Sequence, residues 1–135
     1  MYDDLYCKVF IDTNLSYEEL FLRIMDYVGG KKESFSYVVA DWCDMFIQKN
    51  KEYNIEQYIL DSTDFLYWKY YLDIEPQNID ECQYIKKITD LLSYLRKYCK
   101  GVVIACDFED EVNSMMWRSG KSYFLIMFLL KDVHH

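Results

Sequence analysis

Two hydrophobic periods alternate along this chain, and the order of that alternation limits its fold more than any other feature. Residues 4–12 alternate, with Leu5, Cys7, Val9 and Ile11 on one side and Tyr6, Lys8, Phe10 and Asp12 on the other. That is the period of a strand with one buried face. The period then changes. Ser16-Tyr17-Glu18-Glu19 has the spacing of a capping box, in which a serine hydroxyl and a glutamate carboxylate each satisfy an amide at a helix start. Leu20, Phe21, Ile24, Met25 and Val28 follow at helical spacing, and Gly29-Gly30 offers a left-handed exit. The spacing predicts a helix over residues 17–28.

Period two returns from Phe35 to Gln48. One long strand is expected there, with a bulge or break near Asp41. Residues 49–64 are polar and read as a loop with a short turn at Tyr58-Ile59-Leu60. Phe65 to Glu75 is dense in aromatic and strand-favouring residues and stops at Pro76, the only proline. Asn78 is the expected N-cap of a second helix. Cys82, Ile85, Ile88, Leu91, Leu92, Leu95 and Cys99 form its apolar stripe, and Gly101 closes it. Val102-Val103-Ile104-Ala105-Cys106 reads as the central strand of the sheet. Asp107, Glu109, Asp110 and Glu111 then form an acidic lip at its C-terminal end, with Asp107 and Glu109 pointing to one face.

The succession β, α, β, β, α, β predicts an α+β, ferredoxin-like sandwich: a four-stranded antiparallel sheet with two helices on one face. The opposite face would carry Tyr6, Lys8, Phe10 and some of Tyr67, Lys69 and Tyr71. Residues 1–111 form this domain. Residues 112–135 are a C-terminal apolar extension expected to pack on the domain or on a dimer partner. Its run from Tyr123 to Leu130 suits an added strand or a covering helix, because such a run left exposed invites aggregation.

Charge and composition narrow the function. The net charge of −8 argues against nucleic-acid binding, which needs a basic face. It suits a basic partner. The 14 Tyr, 8 Phe and 3 Trp exceed the needs of a small core and suit a recognition surface. Cys7, Cys43, Cys82, Cys99 and Cys106 lack paired spacing. They read as small buried apolar residues in a reducing compartment, not as zinc ligands. The only histidines are His134 and His135, so Cys43 in Asp41-Trp42-Cys43-Asp44 has no imidazole near it in sequence to activate it. No phosphate-binding loop, nucleophile elbow or dinucleotide fingerprint occurs among the four glycines. No apolar stretch reaches the roughly 20 residues of a membrane helix. The first residues lack the charge pattern of a secretory signal, so the cytoplasm is the expected compartment. No catalysis, cofactor or metal is expected.

The acidic cluster admits three readings: a solvated strand end, a partner surface, or a metal or acid–base site. As a partner surface it comprises Asp107, Glu109, Asp110 and Glu111, with Asp41, Trp42, Asp73 and Glu75 behind them.

Three stretches carry a resemblance: Trp42 to Asn54 (WCDMFIQKNKEYN), Phe65 to Pro76 (FLYWKYYLDIEP) and Ile104 to Glu111 (IACDFEDE). Together they resemble a family of small bacterial proteins of unassigned activity, some of which sit among toxin-immunity proteins. The resemblance spans residues 1–111 and implies a ferredoxin-like fold and toxin binding. The expected function is a non-catalytic immunity protein that neutralises a basic toxin domain, a nuclease, through an acidic, aromatic surface. The alternative is a structural or small-ligand-sensing ferredoxin-like module that oligomerises through its sheet or tail.

Overall fold

The computed structural model describes residues 2–118; the run from Tyr123 to Leu130 and the pair His134-His135 lie outside the described residues. Strand β1, Cys7–Asp12, has a sheet neighbour on each side. Its alternation puts Cys7, Val9 and Ile11 into the main core and Phe10 into a smaller one on the other face. Helix α1, Tyr17–Val28, has the expected bounds. Ser16 Oγ accepts from the Glu19 amide at 3.2 Å, and Glu19 Oε1 accepts from the Ser16 amide at 3.3 Å. Gly29 ends the helix at φ 68°, a conformation that costs glycine nothing.

The stretch expected as one long strand is a hairpin. Strands β3, Tyr37–Val39, and β4, Cys43–Lys49, pair antiparallel with Val39 opposite Asp44. The Ala40 amide donates to the Cys43 carbonyl at 2.9 Å and closes the turn. Ala40 and Trp42, both nearly buried, fold this turn back onto the core. A further strand, β2 (Lys31–Lys32), pairs with β3. Among the described residues the sheet therefore has six strands, not four, in the order β2-β3-β4-β5-β1-β6, with every neighbouring pair antiparallel.

Helix α2, Ile55–Leu60, lies within the stretch expected as a loop. Asn54 caps it, its side-chain oxygen accepting from the amides of Glu56 and Gln57. None of its residues is buried, and at six residues it is too short for Ile55, Tyr58 and Ile59 to announce a helix by their spacing. A 3-10 turn at Phe65–Tyr67 follows, and strand β5 starts only at Tyr70, running to Pro76. The turn exists because Trp68 is drawn inward, its Nε1 donating to the Ser62 carbonyl at 2.8 Å. Trp68, Phe10 and Val103 form the smaller core, with Tyr58, Phe65 and Tyr71 packed against it.

Helix α3, Glu81–Leu95, is capped by Asp80, whose carboxylate accepts from the Gln83 amide at 2.9 Å. Asn78 is not the cap; it takes a left-handed turn at φ 50°. Gly101 does not close the helix but opens strand β6, Gly101–Cys106. A Cβ there would press into the Trp68 ring, 3.0 Å from Cζ2 and Cζ3 and closer still to Cη2.

Strand β6 is an edge of the described sheet, not its centre, because β1 inserts between it and β5. The carboxylates do not prolong it. The chain turns at Asp107, and helix α4, Glu109–Arg118, begins with Glu109, Asp110 and Glu111 in its first turn. Phe108, fully buried, forces this turn, and its carbonyl accepts from the amides of Glu111 and Val112. Acidic side chains at a helix N-terminus are favoured by the dipole. Val112 and Met116 enter the main core beside α3 and β6. The division after Glu111 thus falls inside α4.

Candidate functional site

The open part of the second sheet face carries a group of polar and aromatic side chains. Cross-strand register assembles it. On β4 and β5, Asp44 stands opposite Glu75 and Phe46 opposite Asp73; on β1, Lys8 also stands opposite Asp73. Tyr6, Lys8, Tyr37, Asp44, Phe46, Asp73, Glu75 and Gln77 line a concavity of about 520 Å³. Each projects there because its strand neighbours, Cys7, Val38, Met45 and Ile74 among them, are taken by the core.

The hydrogen bonds are local and mostly to carboxylates. The Tyr6 hydroxyl donates to Asp73 Oδ1, and burial together with this bond holds the Tyr6 phenol well above its ordinary value. Gln77 Nε2 donates to Asp44 Oδ2 at 3.0 Å. A hydrogen bond to Asp44 is also the main reason the Tyr37 phenol is raised. Tyr37 and Phe46 stack with centroids 4.5 Å apart and planes 18° apart. The Lys8 ammonium lies 4.1 Å from the Tyr71 ring centroid. Glu75 is held above the usual carboxylate range by burial and then by the carboxylates of Asp4 and Asp44.

Glu75 links this face to the acidic end of the sheet. Cys7 of β1 pairs with both Ile74 of β5 and Cys106 of β6, so Asp4, Glu75 and Asp107 share that end. Asp107, Asp110 and Glu111 are exposed and Glu109 is half-buried. Burial, opposed by a hydrogen bond from the Phe108 backbone and helped by Glu109, Asp107 and Asp4, pushes the Cys106 thiol up to about 12.

Of the residues singled out in the sequence, Asp73 and Glu75 meet in the concavity. Asp107, Glu109, Asp110 and Glu111 gather at the adjoining end, although α4 rather than a strand carries the last three. Asp41 and Trp42 join neither. They border a separate groove of about 600 Å³ with Tyr27, Gly29, Asn78 and Lys87. The Trp42 ring belongs to the core, edge-on to Tyr84 at 6.1 Å, with the Lys87 ammonium 5.7 Å from it. Tyr37, Phe46 and Gln77 escape sequence reading, since pairing register across the hairpin alone brings them in. Asp44 shows in the sequence only as a polar interruption of a strand.

The cysteines are not uniformly buried. Cys7 and Cys43 are, Cys99 and Cys106 are half-buried, and Cys82 is exposed. Burial raises the Cys43 thiol to about 12. Among the described residues, no group of three or more His, Cys, Asp or Glu side chains could hold a metal ion. Nor is any described helix long and apolar enough to cross a membrane.

Fold and site together define a class: an α+β protein whose antiparallel sheet is covered by helices on one face and left partly open, acidic and aromatic, on the other. A scan against protein-family models, a search of curated proteins and a search of solved structures each find no match to the chain.

Proposed function

We propose that this is a non-catalytic binding protein of the immunity type, which neutralises a basic bacterial toxin domain, a nuclease, in the cytoplasm. One observation carries the reading. Asp44, Asp73 and Glu75 share an open concavity with Tyr6, Tyr37 and Phe46, and the acidic end with Asp4 and Asp107 adjoins it. Aromatic rings supply contact area at interfaces, and a field of one sign steers an oppositely charged partner. The site residues are Asp73, Glu75, Asp107, Glu109, Asp110 and Glu111, now with Asp44 and Phe46. Nucleic acid and membrane are not partners in this reading, and no cofactor is needed.

We also infer a ferredoxin-like core. Elements β1, α1, β4, β5, α3 and β6 follow the βαββαβ order, and their strands stand in the sheet as β4-β5-β1-β6. Strands β2 and β3 would then be an addition beside β4.

Co-expression with the toxin domain encoded beside its gene tests the function. The expected result is a co-purifying complex and rescue of growth, both weakened by Asp73→Asn with Glu75→Gln. Neither complex nor rescue by the parent chain would sink the reading.

A second reading, a module that oligomerises, is favoured by one feature: Ile55, Ile59, Leu60 and Leu66 are exposed on and beside α2. Light scattering on the full chain decides it, and a monomer would exclude it.

A further inference from the structure

The binding reading leaves open what part of a partner the open face would hold. The concavity has a floor of aromatic rings and a rim of carboxylates. Phe46 is 42% exposed although Tyr37 stacks on it. Asp44 and Glu75 stand directly opposite each other on neighbouring strands, a placement in which like charges repel. The groups that hydrogen-bond the rim carboxylates are neutral: Gln77 at Asp44, Tyr6 at Asp73. They satisfy lone pairs without cancelling charge. Lys8, the one cation among the described residues that line the concavity, has its ammonium over the Tyr71 ring. Three carboxylates against one ammonium leave the concavity negative.

We infer that this concavity is a socket for an arginine side chain of a protein partner, with the guanidinium between Asp44 and Glu75 and its plane on the Phe46 ring. This inference rests on the binding reading above and names the group recognised. Charge complementarity calls for a cation, and ring plus paired carboxylates call for a planar one. A guanidinium stacks on an aromatic face and offers a fork of donors to carboxylates; an ammonium is a compact, strongly hydrated point charge. The Lys8–Tyr71 pair is an example, on this same face, of a cation held against a ring.

The test is an NMR titration of the full chain with the blocked peptide acetyl-Gly-Arg-Gly-amide, and with its lysine and citrulline counterparts. The arginine peptide is expected to shift Phe46, Tyr37 and Glu75. It should bind about threefold more tightly than the lysine peptide, because only the guanidinium offers a planar fork of donors to paired carboxylates, and citrulline should leave these residues unmoved. Glu75→Gln should abolish the preference while raising the urea midpoint, because it removes the repulsion from Asp44. A merely structural Glu75 would instead lower that midpoint. Equal binding of the two cationic peptides, shifts confined to Asp107 and α4, or a less stable Glu75→Gln protein would each overturn the socket. Toxin rescue without arginine preference overturns the socket alone; arginine preference without rescue overturns the immunity reading alone.

Discussion

Asp12 shows how a single side chain can be set against its own fold. Its carboxylate accepts from the Tyr58 hydroxyl at 3.0 Å, and Lys100 and Lys69 also favour its ionised form. Burial outweighs all three, so its pKa lies above the ordinary value of 3.8. A carboxyl that is harder to ionise folded than unfolded costs stability once ionised. That cost is complete above the folded value, shrinks as pH falls through the carboxylate range, and is gone below the unfolded value. Asp12→Asn keeps an oxygen for Tyr58 and removes the charge. The variant's stability relative to the parent should be greatest near neutral pH and decline on acidification, as followed by urea midpoints across the carboxylate range. An advantage that grows on acidification would contradict the burial argument. Gly101 is a steric counterpart. The methyl of Gly101→Ala must displace the Trp68 ring, and overpacking of this kind costs about 1–3 kcal/mol. Chemical denaturation should read that loss, and indole fluorescence should change with it.

At the scale of elements, α1 was legible because every signal needed to start and stop it is local: Ser16 and Glu19 at the entry, Gly29 at the exit. Helix α3 was legible in its stripe but not in its cap, since Asn78 and Asp80 are both good capping residues. Only the path of the chain past Pro76 selects Asp80. The hairpin of β3 and β4 was hidden by a shared period, because both strands alternate and the turn at Ala40-Asp41-Trp42 carries neither Gly nor Pro. Helix α2 was hidden by its length, six residues being too few for a periodic stripe to stand out. Helix α4 was obscured by its acidic start, which in sequence continues an apolar strand. Its contribution to the fold is testable. Met116 is fully buried in the main core, and Met116→Ala should cost about 2–5 kcal/mol, measured as a fall in the urea midpoint with an unchanged slope. A cost near zero would mean that α4 is not part of the cooperative unit.

Over the whole molecule, charge and architecture act together. The helices cover one sheet face, and the smaller core of Phe10, Trp68 and Val103 covers part of the other. Among the described residues nothing covers the region over β4, β5 and the start of β1, where the carboxylates lie. With a net charge of −8, association with a basic toxin domain should be steered electrostatically. Its on-rate should then fall steeply with added salt while the off-rate changes little, a pattern stopped-flow mixing would resolve. A salt-independent on-rate would remove the role given to the acidic surface. The same scale explains why Asp41 and Trp42 stand apart from the rest of the expected site. Asp73 and Glu75 share a strand face whose alternation is visible in the sequence. Asp41 and Trp42 lie on a turn whose direction depends on a hairpin that the sequence conceals.

The sequence by itself determined the local matters: an α+β succession, the bounds of α1, the apolar faces of β1 and α3, and an acidic, aromatic surplus beyond the needs of a core. Periodicity and capping act within a few residues, so they can be read without knowing what lies opposite. Only the tertiary structure decided that the sheet has six strands, that Val102 to Cys106 is an edge, and that Trp42 is core. It alone set Asp44 against Glu75, which are 31 positions apart. Strand register is a non-local choice, made by which faces the core takes. That choice turned scattered carboxylates and rings into one concavity.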